Sequence, residues 1–131
     1  MEVNVHGLLF ADRIITENNG KKGLIGVFSN FNFPAFPAQA PPWFIYVALD
    51  NVDKVKHIFT VNIVREQGSQ VVFSGSAEFE HTEGMKGVEM ILPIPAIILP
   101  GNGNYVVSIH LDNREIASRI LRVLLLQRKR G

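Results

Sequence analysis

The amino-acid sequence predicts one all-β domain, a two-sheet antiparallel Greek-key sandwich of about seven to eight strands. Three observations carry this reading. Apolar residues alternate with polar ones along much of the chain, the period of half-buried strands. The alternating runs are short and divided by turns rich in Gly, Asn and Asp. No segment shows the apolar spacing of an amphipathic helix.

The first element is "ADRIITENNGKKGLIGVF", Ala11 to Phe28, two apolar runs flanking Asn19-Gly20. Its Gly-Lys-Lys-Gly cluster does not make a phosphate loop. That loop needs Gly, four residues, then Gly-Lys-Ser/Thr leading from a strand into a helix. Here Leu24 follows Gly23 and the next run, "LIGVF", is strand-like. Asn-Gly supplies the positive φ angles that a hairpin turn requires.

Next, the prolines of "FNFPAFPAQAPP" favour an extended path and assign it to a crossover between sheets. "WFIYVALD" is continuously apolar until Asp50, as expected of a strand buried on both sides. In "VKHIFTVNIVRE", Val55, Phe59, Val61 and Ile63 share one face while Lys56, Thr60 and Asn62 share the other. "QVVFSGSAEFE" repeats the pattern, with Val71, Phe73, Ala77 and Phe79 inward. The "QGS" turn joins the two as a hairpin.

"GVEMILPI" reads as a strand with Val88, Met90 and Leu92 inward, after which Pro93, Pro95 and Pro100 interrupt regular structure. A last hairpin has Tyr105, Val107, Ile109 and Leu111 on one side, then "DNRE", then "IASRILRVLLLQ". In the returning run Ile116 and Ile120 have one parity and Leu121, Val123 and Leu125 the other. A bulge near Ile120 and Leu121 would reconcile them. Tyr105, opening its strand after the Gly-rich "LPGNGN", matches the corner tyrosine of immunoglobulin-like sandwiches, its ring in the core and its hydroxyl on a backbone group.

At 131 residues, 47% hydrophobic and 19% charged, the chain can bury a core unaided. Residues 1–126 are read as the domain and 127–131 as a basic tail. Cysteine is absent, which excludes thiol catalysis and cysteine-zinc sites. Glu2 and the polar breaks at Asn4, His6 and Asp12 argue against a signal peptide, so a cytoplasmic setting is expected. Net charge is +5 over residues 114–131 and −4 over residues 1–113. Only "QRKRG" is a cluster, and a solvated tail is its plain reading; a nucleic-acid contact through Arg128, Lys129 and Arg130 is a weaker alternative.

The richest candidate binding surface is aromatic: Phe31, Phe33, Phe36, Trp43 and Phe44 gather between prolines. Such rings could stack on a ligand, or they could plug the open end of the sandwich, which is the preferred reading. Glu78, Glu80 and His81, in "EFEHTEG", are the nearest approach to a metal or acid-base group. Their spacing matches no metal motif, and acidic residues on an exposed strand face are ordinary. His57 alternates with apolar residues and is read as a histidine with a satisfied ring. No serine lies in a G-x-S-x-G elbow. Asp12, between Phe10 and Ile14, is expected to be buried and to pin the first hairpin through Lys21 or a turn amide.

The pattern of Ala11-Asp12, Gly20-Lys21, Leu24 to Phe28, Phe36-Pro37 and Pro41-Pro42 resembles the N-terminal half of an uncharacterised bacterial domain family. The resemblance implies a small β-sandwich and a bacterial cytosolic setting, with no activity and no catalytic residue to transfer. The expected function is therefore a non-enzymatic binding or accessory module that contacts a protein partner or itself. Surplus apolar residues in "IILP" and "VLLLQ" favour a homodimer. No cofactor is expected. The alternative is a small hydrolase or metal-dependent enzyme built on Glu78, Glu80 and His81.

Overall fold

The computed structural model describes residues 3–52, 56–80 and 87–126. They form an all-β sandwich. The first sheet contains β1 (Asn4–Thr16), β2 (Lys22–Phe28), β5 (Trp43–Asp50) and β8 (Gly87–Ile94), in the order β2-β1-β5-β8. The second contains β3 (Asn30–Phe33), β6 (Lys56–Arg65), β7 (Gln70–Glu80), β10 (Gly103–Leu111) and β11 (Arg114–Leu125), in the order β3-β11-β10-β6-β7. A two-stranded sheet pairs β4 (Ala38–Ala40) with β9 (Ile97–Leu99). The chain changes sheet between β5 and β6 and again between β7 and β8, and β10 returns beside β6, which makes the Greek-key crossings.

The eleven strands of the described residues exceed the expected seven to eight because the proline segments are not plain loops. β3 lies parallel to β11 on the edge of the second sheet, and β4 and β9 form short rungs where Pro34, Pro37, Pro95 and Pro100 permit no longer pairing. Pro93 sits inside β8, which is tolerated because β8 is an edge strand paired only with β5.

The hairpin turns follow two different chemistries. At Asn19-Gly20 only Gly20 takes positive φ (86°), and the Gly20 amide donates to the Glu17 carbonyl at 2.9 Å. The two-residue turn with two positive φ angles is Asp112-Asn113 (52° and 68°), between β10 and β11. The bulge that reconciles β11 is at Ile116, where pairing shifts from Ile109↔Ala117 to His110↔Glu115. It does not lie at Ile120 and Leu121. Ile120 consequently faces solvent, while Leu121 and Val123 are buried.

Core residues come from both inner faces: Phe10, Ile45, Val47 and Leu49 from the first sheet, Phe59, Ile63, Val107 and Leu121 from the second. Tyr105 is fully buried, and its hydroxyl donates to the Gly101 carbonyl at 2.6 Å, the corner arrangement expected from its sequence position. Arg119 also points inward. Its Nη1 donates to the Leu8 carbonyl at 2.8 Å and its guanidinium lies 5.2 Å from the Phe10 ring centre, tying β11 to β1 across the sandwich.

Candidate functional site

Strand alternation decides where the aromatic candidates go. Trp43 points inward and is 1% exposed, with Phe10 at 5.1 Å, Phe28 at 5.5 Å and Phe31 at 6.0 Å between ring centres. Phe31, Phe33 and Phe36 continue this chain of rings outward, each half-buried against the core. Phe44, one residue after Trp43, faces the other way. The five rings therefore do not form one binding surface. Four close the end of the sandwich, and Phe44 belongs to the outer face of the first sheet.

Asp12 is exposed rather than buried, at the point on β1 where the pairing with β5 ends. It lies opposite Gly26, while Lys21 sits in the turn, so the expected Asp12–Lys21 link is not made. Gly26 has φ of 69°, and a Cβ there would collide with the Asp12 carboxylate. Glu78 and Glu80 are exposed on the outer side of β7, opposite Ile58 and Lys56, and His81 lies outside the described residues. Among the described residues no three His, Asp or Glu side chains converge in a way that could hold a metal ion. The tail 127–131 also lies outside the described residues, and of the other basic residues near that end, Arg119 is committed to the Leu8 carbonyl.

His57 is buried with a satisfied ring, as its alternation implied. Its Nδ1 is hydrogen-bonded to Asp112 at 2.6 Å and its ring stacks on Phe79 at 5.4 Å.

The feature that local reasoning missed is the outer face of the first sheet. Register places Val27, Ala11, Phe44 and Pro93 in one row across all four strands, and Leu9, Tyr46 and Ile91 in the next. Arg13, Ile25 and Ile15 extend it toward the β1–β2 turn. Ile15, Ile25 and Val27 are 49%, 42% and 53% exposed, too much for residues covered by another layer. Arg13 makes no ion pair among the described residues. The outer face of the second sheet mixes polar pairs with apolar side chains. Thr60 and Ser76 are hydrogen-bonded at 2.9 Å and Ser74 and Asn62 at 2.7 Å, while Val71, Val64, Val106 and Ile120 form a row and Ile58 and Leu124 stand exposed apart from it. Val71, expected inward, faces out because the pairing shifts between Ile63 and Val64.

At the far end of the apolar face stands a polar corner. A bulge between Val5 and Gly7 leaves His6 unpaired and turns its ring to Asp50, to which it is hydrogen-bonded. Beside them the Tyr46 hydroxyl donates to Glu89. Desolvation, then the hydrogen bond and the negative charge of Glu89, push the Tyr46 phenol up to about 12, so it stays a donor. A cleft of about 490 Å³ opens here, lined by His6, Lys22, Tyr46, Ala48, Asp50 and Glu89 among others. Among the described residues, the strands of this sheet hold no serine beside the His-Asp pair. A smaller cavity of about 260 Å³ lies where the edges β7 and β8 face each other, lined by Phe59, Phe73, Leu92 and Ile94 among others.

The model of a family of unknown function, DUF6941, matches residues 6–124, and the chain belongs to this family. No curated protein matches the chain. A crystal structure of an immunoglobulin-like protein from Pseudomonas aeruginosa is similar at 10% sequence identity, covering 94% of this chain and 97% of that one, with a TM-score of 0.47.

Proposed function

We propose that this member of the DUF6941 family is a non-enzymatic binding module that acts through protein–protein contact, using the outer face of its first sheet. The observation that carries the reading is the pair of adjacent apolar rows Val27-Ala11-Phe44-Pro93 and Leu9-Tyr46-Ile91, in which Ala11 is buried between its neighbours, Leu9, Phe44, Tyr46 and Ile91 are partly exposed, and Val27 stands exposed beside Ile25 and Ile15. An antiparallel sheet with one solvated face ordinarily carries polar residues there. A contiguous apolar surface rimmed by polar groups is the signature of an interaction site. The rim is present, as Arg13 at one end and His6, Asp50 and Glu89 at the other.

A photoreactive residue placed at Val27, and in a second variant at Ser74 on the outer face of the second sheet, tests this reading. Adducts with a polypeptide at Val27 and not at Ser74, identified by mass spectrometry, are the expected result. Equal labelling at the two positions, or none at either, overturns it.

A further inference from the structure

We infer that the occupant of this face is a second copy of the same chain, docked about a two-fold axis. The inference rests on the reading of the face as a protein-contact surface and adds the partner. A two-fold interface brings the same patch together from both subunits, so the patch must complement itself when its ends are exchanged. This one does. Arg13 carries positive charge at the end near the β1–β2 turn, and Asp50 and Glu89 carry negative charge at the other. Leu9, Ala11, Phe44 and Tyr46 lie between.

Gly7 shares a row with Ala48 and Glu89, so the span from Gly7 to Arg13 along β1 separates the two charged ends by about 20 Å, at about 3.4 Å per residue. An axis crossing the strands midway, near Leu9 and Ala11, brings Arg13 of each copy over the Gly7 end of the row Gly7-Ala48-Glu89 of the other, with Glu89 about 10 Å away across two strands and within joint reach of the two long side chains. The apolar rows then stack on each other at the centre, with sheets about 10 Å apart, a gap that an arginine side chain bridges.

The charged ends are also prepared for this contact. Arg13 has no ion pair among the described residues. Hydrogen bonds from Tyr46 and His6 hold Glu89 and Asp50 in fixed positions on the face. A partner of uniform charge would be attracted at one end and repelled at the other, which disfavours a purely acidic or purely basic surface. A second copy meets both ends with the opposite sign.

Sedimentation velocity on the full chain over about 1–200 µM, the range in which modest interfaces associate, tests the inference. The expected result is a monomer–dimer equilibrium at low salt that weakens as salt rises. Arg13→Glu and Glu89→Arg should each weaken dimerisation about tenfold or more, and the Arg13→Glu/Glu89→Arg double variant should recover to within about threefold of the wild type. Val27→Glu, at an exposed position, should abolish the dimer while leaving the thermal melt of the monomer intact. A monomer throughout the range overturns the inference but not the reading of the face, which polypeptide adducts at Val27 from a different protein would still support. A dimer indifferent to Val27→Glu overturns the inference by placing the contact elsewhere. A charge-swapped double variant no tighter than the single ones overturns the two-fold geometry.

Discussion

His57 Nδ1 and the Asp112 carboxylate lie 2.6 Å apart, joining the start of β6 to the turn between β10 and β11. The other carboxylate oxygen accepts the Ile58 amide at 2.8 Å, and the Asp112 amide donates to the Ile58 carbonyl at 2.8 Å. These contacts close one corner of the second sheet and hold the turn in register. The Ile58 hydrogen bond first, and the His57 hydrogen bond next, keep the Asp112 carboxyl below its ordinary value of 3.8.

A carboxyl group lowered by folding adds stability above its unfolded value, and that stability is lost as pH falls through the folded value. The wild-type melting temperature should therefore fall as pH drops below about 4, with a shallower fall in Asp112→Asn. Asp112 is half exposed, so solvent limits the effect, and the variant should cost about 1 kcal/mol at neutral pH. Parallel curves for the two proteins would remove Asp112 from the acid response.

Tyr105→Phe tests the corner. The ring and its packing stay, while the Gly101 carbonyl loses its 2.6 Å donor. A loss of about 1–2 kcal/mol in urea unfolding is expected, visible as a drop of roughly 3–5 °C in melting temperature. An unchanged midpoint would show that the hydroxyl contributes nothing to the corner.

Trp43 and Phe44 are neighbours in the chain with opposite fates. Trp43→Ala should cost about 3–5 kcal/mol, since it removes the centre of the ring cluster and leaves a cavity. Phe44→Ala should cost roughly 1–2 kcal/mol in monomer stability, because its ring on the outer face is only partly buried. Chemical denaturation of the two variants measures this difference, and equal costs would contradict their assignment to opposite faces.

Asp12→Asn should change stability by no more than about 0.5 kcal/mol, as befits an exposed carboxylate without a partner among the described residues. Gly26→Ala should cost about 1–3 kcal/mol through its positive φ and the collision with Asp12. Adding Asp12→Ala to Gly26→Ala should recover the collision part and leave the backbone part. No recovery in the double variant would assign the whole cost to the backbone.

Much of the fold was legible locally. The inward faces of β6 and β10 follow directly from alternation: Phe59, Val61 and Ile63 on one strand and Tyr105, Val107 and Ile109 on the other are all buried. Tyr105 could be assigned its bond because its acceptor lies only four residues upstream. The Ile116 bulge was placed too late in the strand, since parity reveals that a residue is inserted but does not locate the insertion. The candidate site was less legible. His6 reaches Asp50 across 44 residues of sequence and Tyr46 reaches Glu89 across 43, separations at which a single strand carries no pairing signal.

By itself the sequence determined the class of fold, most inward-facing residues and the sharp turns, because period, proline and glycine act within a few residues. It also showed that "WFIYVALD" is apolar on both sides, which implied cover on both. Only the tertiary structure decided otherwise. Strand order put β5 between β1 and β8, the second sheet covered one side, and Phe44, Tyr46, Val27 and Ile25 were brought together on the other, with no layer above them among the described residues. Whether an apolar strand face becomes core or contact surface depends on which sheet packs against it, a property of the assembled strands and not of any one of them.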